Sequence, residues 1–242
     1  MRQLALLLLL FTSFTQNTYA NYLWGFGDIS MNYLDWDTAT ENKDALKRDF
    51  SYVEIEGGAQ FDWGDLYGFF DLERWNDAGI DQRTASKGIM NYYIGETPFS
   101  VYGHVYSFHS DGFSDQSRVV GLGYRLMKKN FFFKPFLGFH NTVQTFYTGS
   151  NGYMTGWFMM YMFSLAEQKF RIVSWHETEF GRDPSYASGN GNKSHSLNGA
   201  ISLWWDFTHK VNFGVQYRYA EDKLGTAGAM KAAIFSLRYN LY

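Results

Sequence analysis

The segment Asp49–Glu73, DFSYVEIEGGAQFDWGDLYGFFDLE, carries two interleaved rows of side chains. In its first arm Val53, Ile55, Gly57, Ala59 and Phe61 alternate with Tyr52, Glu54, Glu56, Gly58 and Gln60. In its second arm Leu66, Gly68, Phe70 and Leu72 alternate with Tyr67, Phe69, Asp71 and Glu73, and the tight turn Asp62-Trp63-Gly64 joins the two. Successive side chains of a strand point to opposite faces, so this is a hairpin with one apolar face and one that bears carboxylates. Lipid cannot solvate a charge and an aqueous lumen can, which makes apolar-out, polar-in alternation the rule of membrane barrels. The hairpin therefore predicts an all-β chain, a transmembrane antiparallel β-barrel of the outer-membrane type.

Outward from the hairpin the same period recurs. Twelve stretches are compatible with strands: 24–37, 50–61, 65–73, 88–95, 98–109, 117–127, 131–145, 153–164, 169–180, 195–206, 210–219 and 229–242. Most run to about ten residues or slightly more, the length that crosses a bilayer at a tilt of about 45°. Residues 38–49, 74–87, 110–116, 146–152, 181–194 and 220–228 read as long loops rich in Asp, Asn, Gly, Ser and Lys. Residues 62–64, 96–97, 128–130, 165–168 and 207–209 read as tight turns. Long loops on one side and short turns on the other is the outer-membrane pattern, and an even strand count puts both termini on the short-turn side. In the eleventh stretch Val211, Phe213, Val215, Tyr217 and Tyr219 oppose Asn212, Gly214, Gln216 and Arg218. In the last, Phe235, Leu237, Tyr239 and Leu241 alternate with Ser236, Arg238 and Asn240 before the terminal Tyr242. Trp157 to Phe163 is apolar on both faces, so the lumen is expected to be greasy there. Trp24, Trp36, Trp63, Trp157 and Trp205 suit aromatic girdles at the membrane interfaces.

The 242 residues are 45% hydrophobic and 20% aromatic, with no cysteine and a formal charge of −3. So large an aromatic share excludes a disordered chain. The lack of cysteine excludes a disulfide scaffold and any thiolate nucleophile or metal ligand. The negative balance excludes a broadly basic nucleic-acid binder. Met1-Arg2, the apolar run Leu4 to Phe11 and the small-residue ending Thr18-Tyr19-Ala20 read as a secretory leader cut after Ala20. The expected organisation is thus a cleaved signal peptide, 1–20, and a single barrel domain, 21–242. The best later apolar run, Trp157 to Ala166, is half of the roughly 20 residues a spanning helix needs.

The opening Tyr22-Leu-Trp-Gly-Phe-Gly-Asp28, the following Ile29 to Asp37 (ISMNYLDWD), and above all the Asp49–Glu73 hairpin with its LYGFFD strand form a recognisable set. On these residues the chain resembles the nucleoside-specific channel family that includes Tsx and the OmpK phage-receptor porins, over the whole mature length. The resemblance implies a twelve-stranded monomeric barrel among the lipids of the Gram-negative outer membrane. It implies a narrow pore that passes nucleosides or similar small solutes by facilitated diffusion, with no cofactor. It also implies use by bacteriophages as a receptor. The alternative function is a surface barrel that mainly displays loops 74–87 and 181–194 to phages or host surfaces.

Glu54, Glu56, Asp71 and Glu73 share the lumenal face of adjacent strands. Carboxylates that close repel one another unless cations meet them, and Arg125, Arg171, Arg218, Arg238 and Lys134 are available. They make either an acidic pore wall facing a basic one or a salt-bridge ladder that braces the barrel. Tyr102, His104, Tyr106 and Phe108 share one face of the fifth strand, opposite Phe99, Val101, Gly103 and Val105. If lumenal, they form an aromatic track on which a base can stack, worth roughly 1–3 kcal/mol per base; the other reading is a packed plug. His104, His109, His140 and His176 show no nucleophile at a recognisable spacing with an orienting acid, so no enzyme is expected. Asp111 to Asp115 and Asp222 lack the spacing of a calcium loop, and no metal is expected.

Overall fold

The structure is a computed structural model that describes residues 20–75, 82–188 and 191–241. Apart from Ala20, the expected leader lies outside the described residues. The strands are β1 (Tyr22–Trp36), β2 (Phe50–Phe61), β3 (Gly64–Glu73), β4 (Arg83–Tyr93), β5 (Phe99–Ser110), β6 (Phe113–Tyr124), β7 (Leu126–Lys128), β8 (Phe131–Gln144), β9 (Thr148–Leu165), β10 (Gln168–Phe180), β11 (His195–Asp206), β12 (Val211–Lys223) and β13 (Thr226–Asn240). Two short helices, α1 (Thr38–Lys43) and α2 (Pro184–Ser188), sit in the connections. Each strand pairs antiparallel with its neighbours in sequence, and β1 pairs with β13. β7 continues β6 beyond Arg125, and both pair with β8, so the sheet closes as a barrel of twelve walls.

The faces follow the alternation. On β2 Val53 and Ile55 point out while Glu54 and Glu56 point in; on β12 Val215 points out and Gln216 in. Ile55, Phe70, Val215 and Phe235 are exposed on the outer surface, as a lipid-facing wall requires. A lower girdle at the short-turn end contains Trp63 stacked on Phe61 (5.3 Å) and near Tyr92 (6.1 Å), with Trp205 near Phe213 (5.8 Å). An upper one contains Tyr153 against Phe139 (5.2 Å) and Phe180 (5.5 Å). The other three tryptophans of the expected girdles sit elsewhere. Trp36 points inward into an apolar cluster, Trp24 pairs with inward-facing Gln60, and Trp157 stacks on His176 at mid-wall. Alternation decides their face, and nearness to a strand end does not.

Three expected long loops are strand instead. Only residues 111–112, 145–147 and 224–225 separate the strands there, and β4 begins at Arg83 inside the expected loop 74–87. These segments continue the strands on the long-loop side of the upper aromatic girdle. Ladder hydrogen bonds persist there without apolar alternation, and Gly112 supplies the left-handed backbone (φ 71) its two-residue turn needs. The connections 37–49, 74–82 and 181–194 remain long. The first shields an edge: where β1 has ended, Asp37 N donates to Lys231 O (3.0 Å), and Lys231 N donates to Thr40 Oγ1 (3.0 Å). Asp37 also caps α1, accepting from Thr40 N at 2.8 Å.

Candidate functional site

The lumen is built from the inward row of every strand, and its two halves differ. On the β11–β3 side the inward rows carry a cluster of charges, and toward the long loops Leu34, Trp36, Phe50, Met230 and Ile234 form a buried apolar cluster. Glu54 and Asp71 are direct cross-strand partners, and Glu56 lies one inward step along β2 from Glu54. The cation they require is Arg238 of β13. Its guanidinium lies 2.6 Å from Glu56, 3.3 Å from Asp28 and 3.8 Å from Glu54, and 4.0 Å over the ring of Trp204. Trp204 lies flat because inward-facing Gly214 has no side chain; a Cβ there would stand 2.7 Å from the indole. Tyr67 donates its hydroxyl to Glu56 (2.6 Å), and Arg83 pairs with Glu73 (2.8 Å). Arg218 sits over Trp175, 5.4 Å from the ring centre.

On the β5–β9 side the inward rows pack an apolar cluster, with buried Ser117, His140 and Thr142 hydrogen-bonded to one another above it. Tyr102 stacks on Phe136 (4.2 Å, 12° between planes), and its hydroxyl is 2.8 Å from His104 Nδ1. Val119 and Met154 complete the cluster at 0% and 1% exposure. Phe136 fits because Gly156 faces it across the ladder. The expected aromatic track is thus lumenal but divided: Tyr102 and His104 are enclosed, while Tyr106 and Phe108 are half-buried.

The remaining expected residues mark the short-turn mouth. Arg125 lies over the ring of Tyr93 (3.7 Å), Lys134 pairs with Asp65 (2.8 Å), and Arg171 donates to Asp206 (3.0 and 2.8 Å) beside an open cavity of about 460 Å³. Phe158, Met160 and Met162 make the lumen apolar near that mouth, where β9 is apolar on both faces.

Several lumenal residues escaped the sequence reading. Glu179 is buried at the long-loop end between Arg182 (3.1 Å), Ser196 (2.9 Å), His140 (3.8 Å) and Lys223. Beside it α2 turns Tyr186 inward under Arg182, and burial pushes the tyrosine hydroxyl up to about 12. Lys87 of β4 meets Glu177 of β10 across the lumen. Period two would have exposed Glu177, which follows Arg171, Val173 and Trp175 on one face. Lys87 was hidden by its place in an apparent loop. Among the described residues no three carboxylates and imidazoles are grouped to hold a metal.

This geometry, a closed twelve-walled barrel with a charged lumen and a lipid-facing apolar surface, can be set against known proteins. Residues 31–241 match the nucleoside-specific channel-forming protein family, Tsx. The chain belongs to that family. The Tsx fold has neighbours at low identity: a NanC porin superposes with a TM-score of 0.52 at 11% identity, covering 89% of this chain and 100% of that one. A KdgM porin superposes with a TM-score of 0.51 at 9% identity, covering 89% and 99%. Both likenesses concern the fold. As a Tsx-family barrel the protein is an outer-membrane channel for small solutes.

Proposed function

We propose that the solutes are nucleosides or similar small aromatic molecules, and that they cross by passive facilitated diffusion past the charged cluster of the lumen. The observation that carries this reading is the neighbourhood of half-buried rings and paired charges: Phe69, Tyr106 and Trp175 stand beside Glu54, Glu56, Asp71, Arg218 and Arg238. A base has two π-faces and stacks on such rings whatever its identity. Its ribose hydroxyls can donate to carboxylates and accept from guanidinium groups. Walls of both signs suit a neutral, dipolar solute, and a transport site must hold its solute weakly enough to release it. Tyr102 and His104, enclosed by Phe136, act in this reading as structure and not as contacts. The same reading takes the protein as a monomer, surrounded by outer-membrane lipid, made with a leader at residues 1–20.

Flux into proteoliposomes tests it. Purified refolded protein is expected to admit uridine and adenosine faster than uncharged sugars of equal size, because only the nucleosides have a base to stack. Equal rates for both classes would leave an unselective pore.

A further inference from the structure

At the short-turn mouth, directly below the charged cluster, lies the open cavity of about 460 Å³. The ladder sets its walls: Asn212 is the cross-strand partner of Arg238, and Asn240 that of Asp28. Arg171, the partner of Trp204, and Asp206 complete the inward wall, and Phe207 lines it from the turn between β11 and β12. The carboxylate of Asp206 is used unevenly. Its Oδ1 accepts three N–H donors, from Arg171 Nε (3.0 Å), Arg171 Nη2 (2.8 Å) and Asn212 Nδ2 (3.1 Å). Its Oδ2 accepts from no donor among the described residues, and the side chain is 24% exposed. Asn212, 1% exposed, is left in the same condition. A carboxylate only accepts, so the amide must turn Nδ2 to Asp206, and its Oδ1 has no donor. Buried polar groups are nearly always hydrogen-bonded, so two acceptors left over on the wall of one cavity mark a place for donors from outside the chain.

The charge of the cavity narrows what those donors belong to. Arg171 neutralises Asp206, and on the rim Lys169 balances Glu167. A balanced site gives an ion no advantage over a neutral solute, whereas a hydroxyl that donates to a carboxylate makes a charge-assisted bond, roughly twice as strong as a neutral one. Two adjacent hydroxyls can share the open oxygen, which has two lone pairs. Phe207, 52% exposed and set edge-on to Trp205 (5.0 Å), offers a ring face beside it. We propose that this cavity is a second solute site, in which Asp206 Oδ2 takes the vicinal hydroxyls of an uncharged, sugar-bearing solute and Phe207 takes its flat face. In a channel that carries nucleosides the hydroxyls are those of the ribose; that identification rests on the reading above, and the diol site itself does not. A solute that has passed the charged cluster then meets a second weak site before release, and shallow sites in series let it leave where one deep site would hold it.

Uridine and 2′-deoxyuridine differ by one hydroxyl. Added on the short-turn side of single channels, uridine is expected to halve the ion current at about a tenfold lower concentration than 2′-deoxyuridine, as for the loss of one hydrogen bond to a charged group. In Asp206→Asn, which exchanges the open acceptor for an N–H donor, the ratio is expected to fall to about one. A tenfold ratio that survives Asp206→Asn would overturn the site, since a merely structural Asp206 shifts both nucleosides alike. A ratio of one in the wild-type protein would overturn it too, and that measurement needs no variant to fold. Phe207→Ala is expected to weaken block by both nucleosides several-fold and to keep the ratio; unchanged block would overturn the part given to the ring. Methyl β-D-ribofuranoside and its 2-deoxy form repeat the comparison without a base. A tenfold ratio there that Asp206→Asn abolishes, with uridine no better a blocker than the riboside, would remove the proposed nucleoside preference and leave the diol site standing. A ratio of one in both series would remove the diol site.

Discussion

Tyr102 and Tyr106 lie four residues apart on the same face of β5, and they meet different surroundings. Tyr102 is 6% exposed, clamped on Phe136 in the apolar cluster; Tyr106 is half-buried, paired across the ladder with Lys87. The strands around both have similar length and the same alternation. The contents differ because of what faces each ring: Gly156 leaves room for Phe136 to stack on Tyr102, whereas Tyr106 lies beside Lys87, next to the ion pairs of the charged cluster. Alternation decides which way a side chain points. The volumes and charges facing it across the barrel decide whether it ends in a core or on a pore wall.

The largest effect expected from this contrast is on stability. Phe136→Ala should cost roughly 3–5 kcal/mol in denaturant unfolding, the usual loss for an aromatic removed from a packed site. Phe69→Ala, beside the charged cluster, should cost much less. Equal losses would mean that the two places are packed alike. The outer wall gives the next effect. Val215→Arg puts a charge into lipid and should cost about 2–4 kcal/mol or prevent assembly, while Gln216→Arg, one residue on but lumenal, should be tolerated. Like damage from both would show that the register of β12 is wrong.

The following effects are on solutes. Phe69→Ala with Tyr106→Ala should weaken nucleoside block of the ion current about tenfold, which requires about 1.4 kcal/mol. Tyr102→Phe removes only a hydroxyl that faces His104 and should leave the block unchanged. A strong effect of the enclosed residue would move the path to the packed cluster. The smallest change concerns charge alone. Glu54→Gln with Asp71→Asn should reduce preference for cations, read as a shifted reversal potential, and leave nucleoside block largely intact.

The strand faces were legible in the sequence because period two needs only neighbouring residues: the hairpin 49–73 already places Glu54, Glu56, Asp71 and Glu73 inward. The ends of β5, β6, β8, β9, β12 and β13 were not, since segments such as 110–116 and 220–228 are polar on both faces and look like loops until their ladder partners are known. The site was legible in part. The carboxylate bench and its cation Arg238 follow from alternation, and the division of the aromatic row at Tyr102 does not. Lys87–Glu177 joins residues 90 apart in sequence through a contact that exists only once the barrel has closed. No local pattern announces it.

Current block in the wild-type protein tests the account most directly. Single channels in a planar bilayer should conduct small ions, and nucleoside added to one side should reduce the current in a saturable, partial manner, as rings and charges of the lumen hold the solute briefly. Steady ion conduction that no nucleoside reduces at any attainable concentration would contradict it.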